Sequence, residues 1–241
     1  MADDAIPAAT LVVMRDMADG PPELLMVTRT ARMAFAAGAM VFPGGRIDDG
    51  DRALAASDED AAKVAAIRET IEETGLSVGL PPAAPPSLQE HLHAGAPFAD
   101  LLDRHGLALD LAALVPFARW KPTFKHTRRF DTLFFLARAP ANPPPLRPQP
   151  GECDGAEWLT AAAVIARVAA GTANAIFPTV RNLERLAQFA SFNDAAAHAA
   201  AHPVETISPW IEEAEGEQWL RIPDHLGYPV TRERLSSAVR G

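Results

Sequence analysis

Hydrophobic residues open the chain in short runs that are separated by turn-forming residues. The first two runs, residues 8–14 and 24–28, flank the sequence Asp19-Gly20-Pro21-Pro22. Runs of this length around a glycine and proline turn predict a pair of strands. A third short run, residues 39–42, stops at Pro43-Gly44-Gly45. The chain is therefore predicted to begin with strands.

From about Asp60 to Thr74 the apolar residues change to a helical spacing. Gly75 is the expected end of this helix, because glycine is favoured just after a helical C-terminus. The residues Ser57, Asp58 and Asp60 are candidate N-terminal caps, since their side-chain oxygens can accept the free amides of a first turn.

The remaining two thirds of the chain contain two proline-rich breaks, residues 81–86 and 142–150. The predicted elements are a helix over residues 87–106, strands over 114–120 and 130–137, and helices over 161–170, 178–192 and 193–201. This order predicts the α/β class, with a mixed sheet that carries helices on its faces.

A chain of 241 residues is long enough for one large domain or one domain with additions. We expect a single domain over residues 1–241, with a helical insertion over about residues 84–110 and a helical C-terminal region over about residues 160–241. Hydrophobic residues make up 48% of the chain, which is enough to fill a globular core.

The net charge of -9 argues against nucleic acid or an anionic membrane as the main partner, because both select basic surfaces. Cys153 is the only cysteine, which excludes a disulfide framework and a cysteine cluster for zinc. No apolar run approaches the length of a membrane span, and the acidic start Met1-Ala2-Asp3-Asp4 is unlike a secretory signal. The expected location is the cytoplasm.

Three glutamates share one face of the predicted helix. A helix advances by roughly 100° per residue, so Glu69, Glu72 and Glu73 lie together, opposite an apolar face. Like charges at these spacings repel each other, and a hard divalent cation, above all magnesium, is their natural partner. The alternative is a solvated acidic surface, which is the commoner meaning of a charge run.

The residues around these glutamates resemble a known motif. The sequence RETIEETGL, residues 68–76, follows Phe42-Pro43-Gly44-Gly45 and looks like the Nudix box, except that Thr70 takes a usual aliphatic position. The resemblance implies an α/β/α sandwich, with about residues 45–76 as a loop–helix–loop, and hydrolysis of a nucleoside diphosphate linked to another moiety with Mg²⁺ or Mn²⁺. By position it implies metal ligation by Glu72 and Glu73, a ligand or base role for Glu69, an orienting role for Arg68, and loop-shaping glycines at Gly45 and Gly75.

The spacing of this box departs from the family pattern. The pattern places an acidic residue six positions after the glycine, at Asp51, and an arginine eight positions later. Arg68 follows Asp51 by 17 positions (68 − 51), which indicates an insertion over about residues 52–60. Counting back from Arg68 gives Asp60 instead, so the acidic role belongs to Asp51 or Asp60, or is lost.

An enlarged box behind MAFAAGAMVFPGGRIDDGD is similar to that of the coenzyme A diphosphatase branch of the family. The segments at residues 24–33, 128–136 and 176–186 support this resemblance, which implies coenzyme A or an acyl-coenzyme A as substrate. Other substrates for the same machinery are NADH, nucleotide sugars and dinucleotide polyphosphates. An alternative of another class is a non-catalytic module that senses a nucleotide or binds a protein. Dimerisation is expected only because many relatives dimerise.

Basic residues near the glycine turn are candidates for holding substrate phosphates by charge-assisted hydrogen bonds. They are Arg29, Arg32, Lys125, Arg128 and Arg129, together with Gly44 and Gly45 of the turn. The alternative is an exposed strand connection. The aromatic residues Trp120, Phe124 and Phe130 could stack an adenine or belong to the core.

A carboxylate is expected to deprotonate the attacking water. The candidates are Glu69 and two loop acids, Glu152 and Glu157, each of which could equally be a surface acid. Cys153 has no identifiable base partner and is interpreted as inert. His91 and His93 are interpreted as surface histidines that lie away from the box.

Overall fold

The structure is a computed structural model that describes residues 5–32, 36–122, 129–214 and 216–238. The strands are β1 (Ile6–Arg15), β2 (Glu23–Arg29), β3 (Met40–Val41), β4 (Gly44–Arg46), β5 (Val115–Trp120), β6 (Phe130–Arg138), β7 (Cys153–Thr160), β8 (Thr206–Ile207), β9 (Trp210–Ala214), β10 (Glu217–Arg221) and β11 (Arg232–Arg234). The helices are α1 (Asp49–Ala53), α2 (Asp58–Thr74), α3 (Leu88–His93), α4 (Phe98–His105), α5 (Ala161–Ala169), α6 (Phe177–Leu186), α7 (Phe192–Ala200) and α8 (Leu235–Ala238).

The main sheet is mixed and has the strand order β3-β2-β1-β6-β5-β8, with β4 paired to β1 and β7 paired to β2. Strand β1 runs parallel to β6 over its length. On its other side β1 meets β2 only at Met14 and Arg15, and it meets β4 at residues 8–10. The sheet therefore forks along β1, and the Gly44-Gly45 turn lies at the fork.

Alternate residues of β1 face opposite sides of the sheet, as the period of a strand requires. Leu11 and Val13 pack in a core with α2, α3 and α4, whereas Val12 and Met14 pack in a second core with α5, α6 and α7. Helices thus cover both faces, which confirms the predicted α/β/α sandwich with a mixed sheet.

The predicted helix over residues 87–106 is two helices, α3 and α4. The break falls at Gly95-Ala96-Pro97, where Gly95 has a left-handed φ of 81° and Pro97 stands just before α4. Proline has no amide hydrogen and cannot continue a helix, which explains the interruption. Together α3 and α4 form the predicted helical insertion.

The C-terminal region is helical only as far as Ala200, so the prediction of a helical region to residue 241 is wrong beyond that point. Strand β8 joins the main sheet, and β9, β10 and β11 form a separate antiparallel sheet. Tyr228 anchors this region, because its hydroxyl accepts from Trp120 Nε1 at 3.1 Å and donates to Asn182 Oδ1 at 2.7 Å. The strands escaped prediction because they are short and rich in charged residues.

Among the described residues, no helix is both long and apolar enough to cross a membrane.

Candidate active site

Helix α2 carries the glutamates and is held at both ends by local interactions. Ser57 Oγ accepts the Asp60 amide at 3.1 Å, and Gly75 ends the helix with a left-handed φ of 72°. The apolar face predicted from the sequence is buried against the sheet. Thr70 is fully buried where the Nudix pattern has an aliphatic residue, and its hydroxyl donates to the Ala66 carbonyl at 2.7 Å. That bond satisfies the hydroxyl, so the helix accommodates the substitution.

Arg68 is the centre of a buried network of charges. Its Nε and Nη2 each donate to one carboxylate oxygen of Asp51 at 2.9 Å. Its Nη1 donates to Glu69 Oε1 at 3.0 Å and to Glu72 Oε2 at 2.9 Å, and Nη2 also reaches the Arg46 carbonyl at 3.1 Å. The planar guanidinium therefore fixes three carboxylates around one cation.

Asp51, and not Asp60, is the acidic residue of the box that pairs with Arg68. Its side chain is buried and makes a bidentate pair with Arg68. Asp60 instead lies in the first turn of α2, where it accepts from the Ser57 hydroxyl. The extra residues of the box form α1 and the start of α2, and they return Asp51 to the arginine despite the longer spacing.

The glycine turn approaches the glutamates through its backbone. The Gly44 amide donates to Glu73 Oε2 at 3.0 Å. A Cβ added to Gly45 would overlap the carboxylate carbon and both oxygens of Glu69. A side chain at position 45 would therefore force the Glu69 carboxylate to move from its place beside Arg68.

Burial raises the pKa of each glutamate in the face. The pKa of Glu73 rises to about 8, through burial and then the charge of Glu69, and the pKa of Glu69 rises to about 7, mainly through burial. Burial also raises the pKa of Glu72. Burial acts to lower the pKa of Arg68. The hydrogen bond to Asp51 and the charges of the surrounding acids outweigh this effect and raise the pKa above its ordinary value. A nearby cation would favour the charged form of each of these buried carboxylates.

This donor set suits a hard divalent cation, which prefers carboxylate oxygens. Among the described residues, Glu69 Oε2 and Glu72 Oε1 accept no hydrogen bond, and Glu73 Oε1 has only Arg29 at 3.8 Å. Across the same residues, no three His, Cys, Asp or Glu side chains already stand together as a metal-binding group. One oxygen each of Glu69 and Glu72 is paired with Arg68, so these two carboxylates would turn from Arg68 to hold a cation together with Glu73.

The loop acid Glu152 lies beside the glutamate face, whereas Glu157 does not. Glu152 is exposed in the turn just before β7, and its charge contributes to the raised pKa of Glu73. Glu157 is held by Arg167 at 2.8 Å. Of the two loop acids, Glu152 is therefore the one whose charge acts on the glutamate face. The buried Cys153 thiol has its pKa raised to about 12 by burial and then by Glu73, which agrees with an inert cysteine.

The predicted substrate-binding cations are only partly described. Arg29 faces Glu73, and its buried Nε has no partner among the described residues. Arg32 is exposed in the turn after β2, and Arg129 immediately precedes β6 at the end of the sheet near Ile6. Lys125 and Arg128 lie outside the described residues.

Two of the three aromatic candidates for adenine stacking lie among the described residues. Trp120 is 1% exposed and packs edge-on against Phe177 and Tyr228, so it belongs to the core. Phe130 is half-buried at the start of β6. Phe124 lies outside the described residues.

Two residues of the insertion touch the box, contrary to the prediction that His93 lies away from it. His93 Nε2 is 2.8 Å from the Glu72 carbonyl oxygen, and Gln89 Nε2 donates to the same oxygen at 2.9 Å. No local pattern shows this pairing, because it joins positions 17 and 21 residues apart across a proline-rich break.

Comparison with known proteins identifies the family. Residues 5–181 match the NUDIX domain model. The acyl-coenzyme A diphosphatase NUDT19 of Homo sapiens is 27% identical over 250 residues, which cover 78% of this chain and 66% of that protein. The Gallus gallus protein of the same name is 26% identical over 254 residues, covering 78% and 67%. The chain thus spans about two thirds of the length of these curated relatives.

A solved structure agrees with this assignment. The crystal structure of a NUDIX hydrolase from Alicyclobacillus acidocaldarius has a TM-score of 0.73 and 32% sequence identity, and the match covers 80% of this chain and 96% of that one. Since the family model covers most of the chain and its box forms the network around Arg68, the chain belongs to the Nudix family and is a hydrolase of diphosphate bonds.

Proposed function

We propose that this hydrolase cleaves the diphosphate of coenzyme A or an acyl-coenzyme A. The products would be 3′,5′-ADP and 4′-phosphopantetheine or its acyl ester. The observation that carries the chemistry is the buried carboxylate face that Arg68 organises beside the Gly44-Gly45 turn. The choice of substrate is supported by the names of the human and chicken relatives and by the enlarged box.

We propose that Glu69, Glu72 and Glu73 hold Mg²⁺ or Mn²⁺. A bound divalent cation would neutralise diphosphate charge and lower the pKa of a coordinated water. Arg68 would orient the ligands, and Arg29 would pair with a phosphate oxygen through its Nε, which has no partner among the described residues. Glu152 is the preferred base and Glu69 the second candidate, since both lie at this face. The base takes a proton from water, the water oxygen bonds to one phosphorus, and the bridging oxygen leaves with the other phosphate.

The intact set of acids argues against a binding-only module. Gathering Asp51, Glu69 and Glu72 around Arg68, with Glu73 buried beside them, has a desolvation cost that a passive fold has no need to meet. The same acids, however, do not distinguish coenzyme A from other diphosphates. NADH, nucleotide sugars and dinucleotide polyphosphates are therefore the comparison substrates in the test.

The test incubates the purified chain with coenzyme A and Mg²⁺ and separates the products by chromatography. We expect 3′,5′-ADP and 4′-phosphopantetheine, and we expect a chelator to abolish both. Cleavage of NADH or a nucleotide sugar without cleavage of coenzyme A would agree with the assignment as a diphosphate hydrolase but contradict coenzyme A as the substrate. Equal turnover with and without chelator would contradict the metal site, and no turnover of any diphosphate would contradict the proposed function.

A further inference from the structure

Three of the last four carbonyl groups of α2 are bound by residues from other parts of the chain, and the fourth, that of Ile71, accepts the Gly75 amide. Four carbonyls at a helix C-terminus lack partners within the helix. In α2 the Glu72 oxygen accepts from Gln89 and His93, the Glu73 oxygen accepts from the Gln149 amide at 3.1 Å, and the Thr74 oxygen accepts from the Arg147 amide at 2.8 Å. The end of the glutamate-bearing helix is therefore fixed by α3 and by residues 147–149.

Gln89 joins these two partners through one buried amide group. It is 4% exposed, and its Nε2 donates to the Glu72 carbonyl at 2.9 Å and to the Arg147 carbonyl at 2.7 Å. A primary amide has two hydrogens, so both bonds can form together. This side chain thus bridges the helix to Arg147, near the end of the proline-rich connector.

The bridged loop continues directly to Glu152. The Gln149 carbonyl accepts the Glu152 amide at 3.3 Å and the Cys153 amide at 3.0 Å. The Glu152 carbonyl then accepts the Thr30 amide at 2.8 Å, next to Arg29. The backbone bonds therefore form a continuous connection from the end of α2 to Glu152, the acid whose charge acts on Glu73.

Gly75 makes room for this bridge. A Cβ at position 75 would lie 3.0 Å from Arg147 Nε and 3.0 Å from Gln89 Oε1, at a left-handed φ of 72°. Glycine in the box thus allows both the end of the helix and the close approach of the two bridging side chains.

We propose that Gln89 is a positioning residue that sets the distance between the glutamate face and the Glu152 loop. This inference rests on the proposed function, since it assigns α2 and Glu152 to one reaction. Gln89 acts through the Glu72 and Arg147 carbonyls, and in the described residues its hydrogen bonds go to backbone rather than toward the glycine turn. A loss of the bridge should therefore slow the chemical step more than it weakens substrate binding.

The test is Gln89→Met, which keeps the length of the side chain and removes both donors. We expect kcat to fall about tenfold, corresponding to about 1.4 kcal/mol, while KM changes by less than about twofold. Hydrogen exchange at the Arg147 and Gln149 amides should become faster. The matched control is Gln188→Met, at an exposed glutamine bonded only to the Arg185 carbonyl among the described residues, which should change neither kcat nor exchange at these amides.

A second pair of variants separates the effect of the contact with Glu72 from a general loss of folding. His93→Ala should lower kcat less than Gln89→Met does, and His91→Ala should leave it unchanged, because of the two described histidines of α3 only His93 contacts Glu72. A lower melting temperature in Gln89→Met with unchanged kcat would overturn the proposal, as would a kcat loss without faster exchange. The exchange experiment needs no substrate. Faster hydrogen exchange in Gln89→Met, with no turnover of any diphosphate by the wild type, would therefore contradict the proposed function but agree with the structural role of the Gln89 bridge.

Discussion

Glu72→Gln is expected to lower kcat/KM for the diphosphate substrate by about 100-fold or more, because metal-ion catalysis supplies several kcal/mol. The amide keeps the shape of the side chain but carries no negative charge for a cation. It also weakens the contact with Arg68 Nη1, which holds Glu72 at 2.9 Å. Steady-state kinetics at saturating Mg²⁺, together with a melting curve, would separate catalysis from folding.

The matched control is Glu59→Gln, an exposed glutamate in the first turn of the same helix. Glu59 pairs with Lys63 four residues later and lies far from the glutamate face along α2. We expect this variant to keep wild-type kinetics. Wild-type activity in Glu72→Gln would remove Glu72 from the ligand set and with it the assignment of this face.

Arg68→Met is expected to have the largest effect on stability. The change leaves the buried Asp51 carboxylate and those of Glu69 and Glu72 without their shared cation. Removing one partner of a buried ion pair costs about 3–5 kcal/mol, which lowers Tm by about 6–20 °C in a chain of this size. The measurement is thermal unfolding of the wild type and the variant in the presence of chelator.

The loss in Arg68→Met should also depend on pH. Burial already raises the pKa of Glu69 to about 7, and the variant lacks the cation that opposes this shift. A carboxyl group with a raised pKa in the folded state stabilises the fold at low pH, and this contribution is lost as the pH rises through that pKa. The part of the deficit that comes from Glu69 should therefore shrink as the pH falls toward about 7, where this carboxyl group protonates in the wild type as well. A deficit that grows on acidification would contradict the account.

The control for this variant is Arg52→Met. Arg52 is an arginine of α1 whose partner Asp58 is almost fully exposed. Exposed ion pairs contribute about 0–1 kcal/mol, so we expect little change in Tm. An equal fall in Tm in both variants would show that the network around Arg68 stabilises the fold no more than an exposed ion pair does.

The sequence predicted the parts of the site that depend on local periodicity. The spacing of Glu69, Glu72 and Glu73 places them on one face, and Gly75 marks the end of the helix where the structure has it. The basis is physical, since α2 must bury its other face against the sheet. The choice between Asp51 and Asp60 stayed open because it depends on how α1 folds back onto Arg68, which spacing alone does not show.

Other features depend on contacts between distant parts of the chain. Gln89 and His93 meet Glu72 only because the insertion packs on the end of α2, and the proline-rich connector that carries Arg147 returns to the same place. The sheet of β9, β10 and β11 is stabilised by pairs such as Arg221 with Glu212, which give no apolar alternation in the sequence. Neither feature has a local signal that a periodic pattern could reveal.

The most direct test of the central claim is a crystal of this protein soaked in Mn²⁺, with anomalous difference density used to locate the ion. We expect a peak bound by carboxylate oxygens of Glu69, Glu72 and Glu73 at about 2.1 Å, near the distance typical of Mg²⁺, with Arg68 still paired to Asp51. A peak elsewhere, or none while Glu69 and Glu72 remain on Arg68, would contradict the assignment of this face as the metal-dependent diphosphatase centre.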